Sequence, residues 1–291
     1  MVHLKRTRGE KIYAAFNAAL LIGIGLICLL PYVTLIAKSV SDEAYVISGQ
    51  IHLWPKGFHL NAFKILLNGI DFQKAFFNSV LVTLFGTLVQ VFFTACIGYA
   101  AAKRDLPGRK LINMAYIFTM LFSGGMIPTY LIIKETGMIN NLLVLVIPGL
   151  VGAFNMILAR TYFETLPAAL DESARIDGAG NLTVLFRIML PISIPSLATI
   201  SIFSAVAIWN NYMGPLMYLT NKNVIVLPLF LQSIVSAAGA PNMENSADMV
   251  HIASETFRAA AIIVSTLPIL LVYPFLQKYF VTGMTLGAVK Q

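Results

Sequence analysis

Six stretches of this chain carry no Asp, Glu, Lys or Arg in their interiors: residues 16–37, 75–102, 111–133, 142–159, 197–217 and 259–276. Crossing the roughly 30 Å of bilayer hydrocarbon as a helix takes about 20 apolar residues, and these stretches have that length. Hydrocarbon offers no partner for a peptide N–H or C=O, so only helices or closed barrels can span it. Continuous apolar runs, without alternation, select the helix. Composition agrees, since 11% of the 291 residues are charged and 58% are hydrophobic, whereas a soluble domain carries about 25% charge. The expected fold class is an all-α membrane protein with six spans. The first run is expected to be a span rather than a cleaved leader: it is too long, and Lys38-Ser39-Val40-Ser41 follows it instead of a small-residue cleavage site.

Six spans put both termini on one side, and the basic residues say which. Lys5, Arg6, Arg8, Lys11, Lys103, Arg104, Arg109, Lys110, Arg160, Arg175, Arg187, Lys278 and Lys290 make thirteen of the 20 on the side of the termini. Lys38, Lys56, Lys64, Lys74, Lys134, Lys222 and Arg258 make seven on the other. The termini are therefore expected to be cytoplasmic. The net charge of +7 is accounted for by this bias and does not point to nucleic acid. Cys28 and Cys96 fall inside spans and read as two buried small apolar residues. His52, His59 and His251 lie in outer loops without metal-ligand spacing. No catalytic set and no metal site is expected.

Uncharged span interiors argue against ion-coupled carriers, proton pumps and voltage sensors, which place ionisable residues at mid-membrane. The chain also has no Gly-x-x-x-x-Gly-Lys-Ser/Thr phosphate loop, so energy for active transport is expected from another subunit. Neutral polar and flexible residues do interrupt the spans: Asn113, Ser123-Gly124-Gly125, Pro128, Pro148, Gly149, Gly152 and Asn155, then Trp209-Asn210-Asn211-Tyr212 with Gly214-Pro215. Amides and aromatic faces suit a hydroxyl-rich solute. Asn155, Trp209, Asn210, Asn211 and Tyr212 are the candidate substrate path, with interhelical hydrogen bonding as the structural alternative.

Between the fourth and fifth runs lies a long polar segment. Thr165-Leu166-Pro167 reads as a helix start, with Thr165 as cap and Pro167 near the first turn. Residues 168–177 give two to three turns, with Asp171 and Glu172 early, where negative charge suits the helix dipole. Ala168, Ala169, Ser173 and Ala174 keep this helix slim. Gly178 fits a left-handed terminator, and Ala179-Gly180-Asn181 turns the chain into a second helix near residues 182–190. Leu182, Leu185, Phe186 and Met189 share a face at helical spacing, and Pro191 and Pro195 are expected to end it. A polar helix–turn–helix parked at the membrane surface serves as a handle for something else.

Glu172-Ser173-Ala174, Gly178 after three residues and Ile188-x-Leu190-Pro191 after nine more resemble the EAA loop of ABC importer permeases, with Ser173 in place of the middle Ala. Ala174-Arg175-Ile176-Asp177-Gly178-Ala179 resembles the carbohydrate-uptake branch. So do Asn78-Ser79, Tyr99-Ala100-Ala101, Pro107-Gly108-Arg109-Lys110, Trp54-Pro55 and Phe58-His59-Leu60-Asn61-Ala62-Phe63. The C-terminal Phe280, Gly283, Gly287 and Ala288-Val289-Lys290 extend the likeness along nearly the whole chain. Gly125-Met126-Ile127-Pro128-Thr129-Tyr130 and Phe154-Asn155-Met156 look like the second, maltose-type permease of importers for oligosaccharides such as alginate.

The resemblance implies a six-helix type I ABC permease with a cytoplasmic coupling helix in an EAA loop at about residues 165–195. It implies a basic cytoplasmic segment at 1–15, a transmembrane domain at 16–282 and a cytoplasmic tail at 283–291. Such a permease pairs with a second permease, two ATPase subunits that hold the ATP and Mg, and an extracytoplasmic solute-binding protein. It sits in a bacterial inner membrane, moves sugar by alternating access and carries no cofactor of its own. Asp171, Glu172, Ser173, Ala174, Asp177, Gly178 and Pro191 are the ATPase-coupling residues by match to the motif. Glu172 would bond in the ATPase groove, Ala174 would make the tight contact, Gly178 would permit the turn and Asp177 would cap or pair nearby. The loop at about residues 220–257 is long enough to reach the binding protein through 236–248 or to be a plain spacer. The alternatives are an ABC permease for a non-sugar solute and, behind it, a stand-alone secondary carrier or a membrane-embedded enzyme.

Overall fold

The computed structural model describes residues 7–221, 223–237 and 255–288. His251, residues 238–248 of the outer loop and Val289-Lys290 lie outside the described residues. Every regular element described is helical. The described residues fall into two compact units, one built from the chain up to Gly69 with residues 231–266, the other from Ile70–Phe230 with the stretch from Leu267.

In the first unit, α1 (Arg8–Ser39) opens with a capping box: Thr7 accepts from the Glu10 amide, and Glu10 accepts from the Thr7 amide at 2.8 Å. None of its most apolar stretch is buried, and Leu20, Ile24, Ile27 and Leu30 stand outward, a surface suited to lipid tails rather than water. Cys28 is exposed on this helix, which corrects the expectation that it is buried; Cys96, in the second unit, is half-buried. After α1 come α2 (Glu43–Ile47), capped by Asp42, and α3 (Asn61–Asn68). Ala37, Val46 and Ile51 form a small core.

The second unit is organised on α4 (Ile70–Ala102), 33 residues without a break. Next are α5 (Arg109–Leu121), α6 (Met126–Glu135), two 3₁₀ turns at Leu142–Leu145 and Ile147–Gly149, and α7 (Ala153–Thr165). Then come α8 (Ala168–Ile176), α9 (Asn181–Val184), a π-turn at Leu185–Met189, α10 (Leu190–Ile192), α11 (Ile194–Trp209) and α12 (Met213–Tyr218). The remaining helices, α13 (Leu227–Ala237) and α14 (Glu255–Ala288), each have residues in both units. The helix α4 packs along α7 and α11. Close approach to α7 depends on Gly98, where an added Cβ would lie 2.6 Å from the Ala159 Cβ and 3.2 Å from the Arg160 backbone nitrogen. Tyr99, Ala159, Phe163, Ala174, Val184, Leu185, Met189 and Ile200 form one core at this end. Ile133, Val144, Tyr218, Leu219 and Val226 form another.

Among the described residues, three helical segments are long and apolar enough to cross a membrane: α1, α4 and the Glu255–Val272 part of α14. Three bent pairs reach that length only when joined, namely Arg109–Leu121 with Met126–Glu135 (117°), Leu142–Gly149 with Ala153–Thr165 (49°), and Asn181–Ile192 with Ile194–Trp209 (82°). The third run is therefore not one straight span. Gly125, at φ 89°, takes a backbone that L-residues avoid, so the chain turns there. The fifth run is broken as well: α11 ends at Trp209, and α12 begins at Met213 after Asn210-Asn211-Tyr212. Neither terminal boundary breaks a helix, since α1 begins at Arg8 and α14 continues to Ala288.

Gly98→Leu should force α4 and α7 apart, because the atoms it meets include backbone. The expected cost is about 1–3 kcal/mol, read as a lowered thermal midpoint of the detergent-solubilised protein. The same change at Gly23, which has nothing within 4 Å of an added Cβ, should leave the midpoint near wild type.

Candidate functional site

The surface helix α8 is set off by its neighbours in sequence. Leu166 is extended (φ −72°, ψ 142°), the conformation favoured before a proline, and this separates α7 from α8. Thr165 does not cap α8: its hydroxyl donates to the Tyr162 carbonyl at 2.6 Å, and Pro167 takes the N-cap position. At the other end the Gly178 N–H donates to the Arg175 carbonyl at 3.0 Å and the Ala179 N–H to the Ala174 carbonyl at 2.9 Å. With Gly178 at φ 81°, this is the paired-bond left-handed termination that glycine favours. Asp177 is exposed at the C-cap.

The two faces of α8 differ. Ala174 is 7% exposed, inside the core of Tyr99, Ala159 and Phe163. Ala174 thus packs against this chain's own bundle. Asp171, one turn earlier on the same face, forms an ion pair with Lys103, accepts from the Tyr99 hydroxyl at 3.2 Å and accepts from Arg175 Nε at 2.9 Å. Arg175 also donates to the Asn181 side chain at 2.7 Å. Burial alone would raise the Asp171 pKa, but the hydrogen bonds and charges of Lys103 and Arg175 outweigh it and hold the carboxyl below its usual range. Outward stand Ala168, Ala169, Glu172, Ser173 and Ile176, the last 87% exposed. Ile176, Lys103 and Tyr99 were not expected as part of this site. A large apolar residue between Arg175 and Asp177 was the available signal for the first.

The second helix of the pair runs as α9, the π-turn and α10. Leu185 and Met189 are buried, whereas Leu182 is 72% exposed and Phe186 stacks on Phe92 at 6.1 Å. The four residues share a face only in an uninterrupted α-helix, and the π-turn adds a residue to the turn, shifting the register. Pro191 has no N–H for the carbonyl four residues back. It sits just after the π-turn, within α10, and does not end the helix. Beside α8 is a charged groove of about 880 Å³ lined by Lys103, Arg109, Arg160, Glu164 and Glu172 among others. Glu164 accepts from Arg109 and, at 2.9 Å, from Arg160.

The neutral polar residues gather elsewhere. A cavity of about 450 Å³ is lined by Gln90 of α4, Asn155 of α7, Ser204 of α11, then Asn211 and Tyr218, with apolar neighbours. No described lining residue is charged. Asn155 Nδ2 donates to Ser204 Oγ at 3.3 Å, and Asn211 Oδ1 accepts the Gly214 N–H at 3.0 Å. Each asparagine keeps a further polar atom for a solute. The structure brings Asn155 and Asn211 together but not the rest of the expected path. Trp209 packs edge-on against Phe76 at 6.2 Å, Asn210 is exposed at the end of α11, and Tyr212 begins α12. Gln90 and Ser204 were not expected; a lone amide inside an apolar helix was a usable signal for Gln90.

Residues 62–286 match the family model described as "Binding-protein-dependent transport system inner membrane component". The polygalacturonan/rhamnogalacturonan transport system permease protein YtcP of Bacillus subtilis is 39% identical over 272 residues, covering 93% of this chain and 95% of that one. The arabinooligosaccharides transport system permease protein AraQ of the same species is 30% identical, covering 92% of each. Among solved structures, a chain of a bacterial ABC transporter involved in the import of the acidic polysaccharide alginate superposes with a TM-score of 0.86 at 30% identity, over 95% of this chain and 99% of that one.

The depressed Asp171 pKa has a definite sign. Its pairing stabilises the fold at all pH above the ordinary aspartate range and is lost as pH falls through the lowered value. Wild type should therefore melt above Asp171→Asn at pH 7, and the gap should close as pH drops below about 4, the free aspartate range. A gap independent of pH would sink this assignment.

Proposed function

The chain belongs to the family of binding-protein-dependent transport system inner membrane components, and on that premise we propose that it is one permease subunit of an ATP-driven ABC importer for an oligosaccharide. As a transport component it is not assigned catalysis. ATP and Mg belong to separate ATPase subunits, and a solute-binding protein delivers the sugar. In this reading Arg109–Leu121 with Met126–Glu135 is one span, Leu142–Gly149 with Ala153–Thr165 another and α11 with α12 a third. With α1, α4 and α14 these give six, with both termini cytoplasmic as the basic-residue bias requires. Residues 1–15 and 283–291 flank the transmembrane domain of 16–282.

The observation that carries the reading is the division of α8 into two faces. Asp171 and Ala174 hold the helix to its own bundle, while Glu172, Ser173 and Ile176 stand free beside a groove. An exposed apolar side chain next to a carboxylate suits a docking surface, where burial supplies affinity and a charge-assisted bond fixes register. Glu172 and Ile176 are assigned to contact with the ATPase, Ser173 to close approach, and Gly178 to the turn that aims the helix. Asp177 ends α8 and Pro191 shapes the helix that follows.

The substrate class rests on the uncharged cavity. Amide and hydroxyl groups from three helices offer donors and acceptors to sugar hydroxyls without the cost of a buried charge. Asn155 and Asn211 are retained as substrate-path residues and joined by Gln90 and Ser204. Trp209 supports the wall through Phe76, and Asn210 and Tyr212 shape the break beside it. An acidic oligosaccharide fits this half only if its carboxylates face the second permease.

Co-expression with the neighbouring transport genes and purification through a tag on this chain should recover a second permease and an ATPase. Glu172→Ala should cut ATPase recovery and uptake about tenfold or more, the scale of an interface hot spot, while membrane insertion persists. Normal uptake would remove the docking assignment. Asn155→Ala or Asn211→Ala should lower uptake of arabino-oligosaccharides or oligogalacturonides, whichever wild type imports, by roughly threefold or more with ATPase recovery intact. If neither moves uptake, the amides are packing groups.

A further inference from the structure

The cavity is walled by α4, α7 and α11, but these helices differ in how they continue toward α8. Extended Leu166 interrupts α7 before α8 is reached, and α11 meets the helices after α8 through an 82° bend. Only α4 runs without interruption from the cavity to the foot of α8. Gln90 and Ala102 frame that stretch, about 18 Å of helix at 1.5 Å per residue, and Lys103 follows directly on its end. At its end, Lys103 reaches Asp171 on α8 and lies over the Tyr99 ring, 4.7 Å from its centroid. The Tyr99 hydroxyl donates to the same carboxylate at 3.2 Å. Arg175 then ties Asp171 to Asn181, beyond the Gly178 turn.

We infer that the Lys103–Asp171 ion pair, braced by Tyr99, is the positioning link that passes displacement of α8 to α4 and so to the Gln90 wall of the cavity. The inference rests on α8 being the docking helix and adds a route through a side-chain pair rather than through the chain's connections. Two features fit the pair for this. Lys103 and Asp171 side chains are 19% and 22% exposed, so solvent screens their attraction less than that of a surface pair. Asp171 also has bonds from two further residues, so its carboxylate has little freedom to swing away when α8 moves. A rigid unbroken helix then carries the motion, the kind of packed and ion-paired connection through which distant sites couple.

The test uses the assembled importer in proteoliposomes, with Cys28 and Cys96 replaced and Gln90→Cys as the reporter. Maleimide labelling at position 90 is compared before and after trapping with ATP and vanadate, which needs no knowledge of the sugar. In the reporter background labelling should change about fivefold or more on trapping; adding Lys103→Met should reduce the change to less than about twofold, and Lys103→Arg should preserve most of it. A merely structural role would lower the amount of complex but leave the change per complex unaltered. An undiminished change in Lys103→Met, or no change in the reporter background, overturns the link. Should Lys103→Met fail to assemble, Tyr99→Phe decides, with a reduced change expected and an unreduced one overturning the link. Failure of the docking reading is separately visible, because Glu172→Ala would then retain the ATPase.

Discussion

Hydrocarbon cannot hydrogen-bond a peptide group, and the backbone of this chain follows from that. Where the sequence is uniformly apolar, as in α1 and α4, the helix is unbroken, because each interruption would leave groups unpaired at a cost of several kcal/mol. Breaks occur where the chain supplies partners or needs none. At the end of α11 the Asn210 N–H donates to the Val206 carbonyl, and the Asn211 side chain accepts the Gly214 N–H. At Gly125 the hydroxyl of Thr129 returns to the Gly125 carbonyl at 2.8 Å. Polar residues at the breaks therefore do backbone work first, and what polarity remains becomes available to a solute.

The polar cavity and the surface helix differ in their chemistry. The cavity is lined by amides and hydroxyls, which carry a low desolvation cost. The surface helix and its surroundings use ion pairs, where water is near and charges are affordable. Lys103, Arg109, Arg160, Glu164, Asp171 and Arg175 lie together in this region, and Gly98 brings α4 and α7 close enough for it to form. In the proposed reading, energy and selectivity enter at different places and are joined by helices.

Much of the architecture was legible from residue order. The six apolar runs, the slim helix at 168–177, the Gly178 terminator and the interruption at Asn210–Tyr212 follow from local rules of hydropathy, capping and backbone freedom. Other expectations failed, two of them on competing local geometry and one on a neighbour distant in sequence. Thr165 lost its capping role when its hydroxyl found the Tyr162 carbonyl within α7. Leu182 turned outward because a π-turn shifted the face it shared with Leu185 and Met189. Trp209 went to Phe76 rather than to the cavity, an aromatic pairing that links residues far apart in sequence.

The sequence by itself determined that this is a helical membrane chain with a polar handle, because hydrocarbon length, charge exclusion and the positive φ of Gly178 are properties of short segments. Tertiary structure alone decided which face of the handle is free and which polar groups meet. Asp171 could have stood outward like the exposed Glu172; Lys103, 68 residues away, makes it an internal anchor. Gln90, Asn155, Ser204 and Asn211 become one site only because α4, α7 and α11 pack side by side. Helical phase assigns a residue to a face, but the packing of other helices decides whether that face looks inward or out.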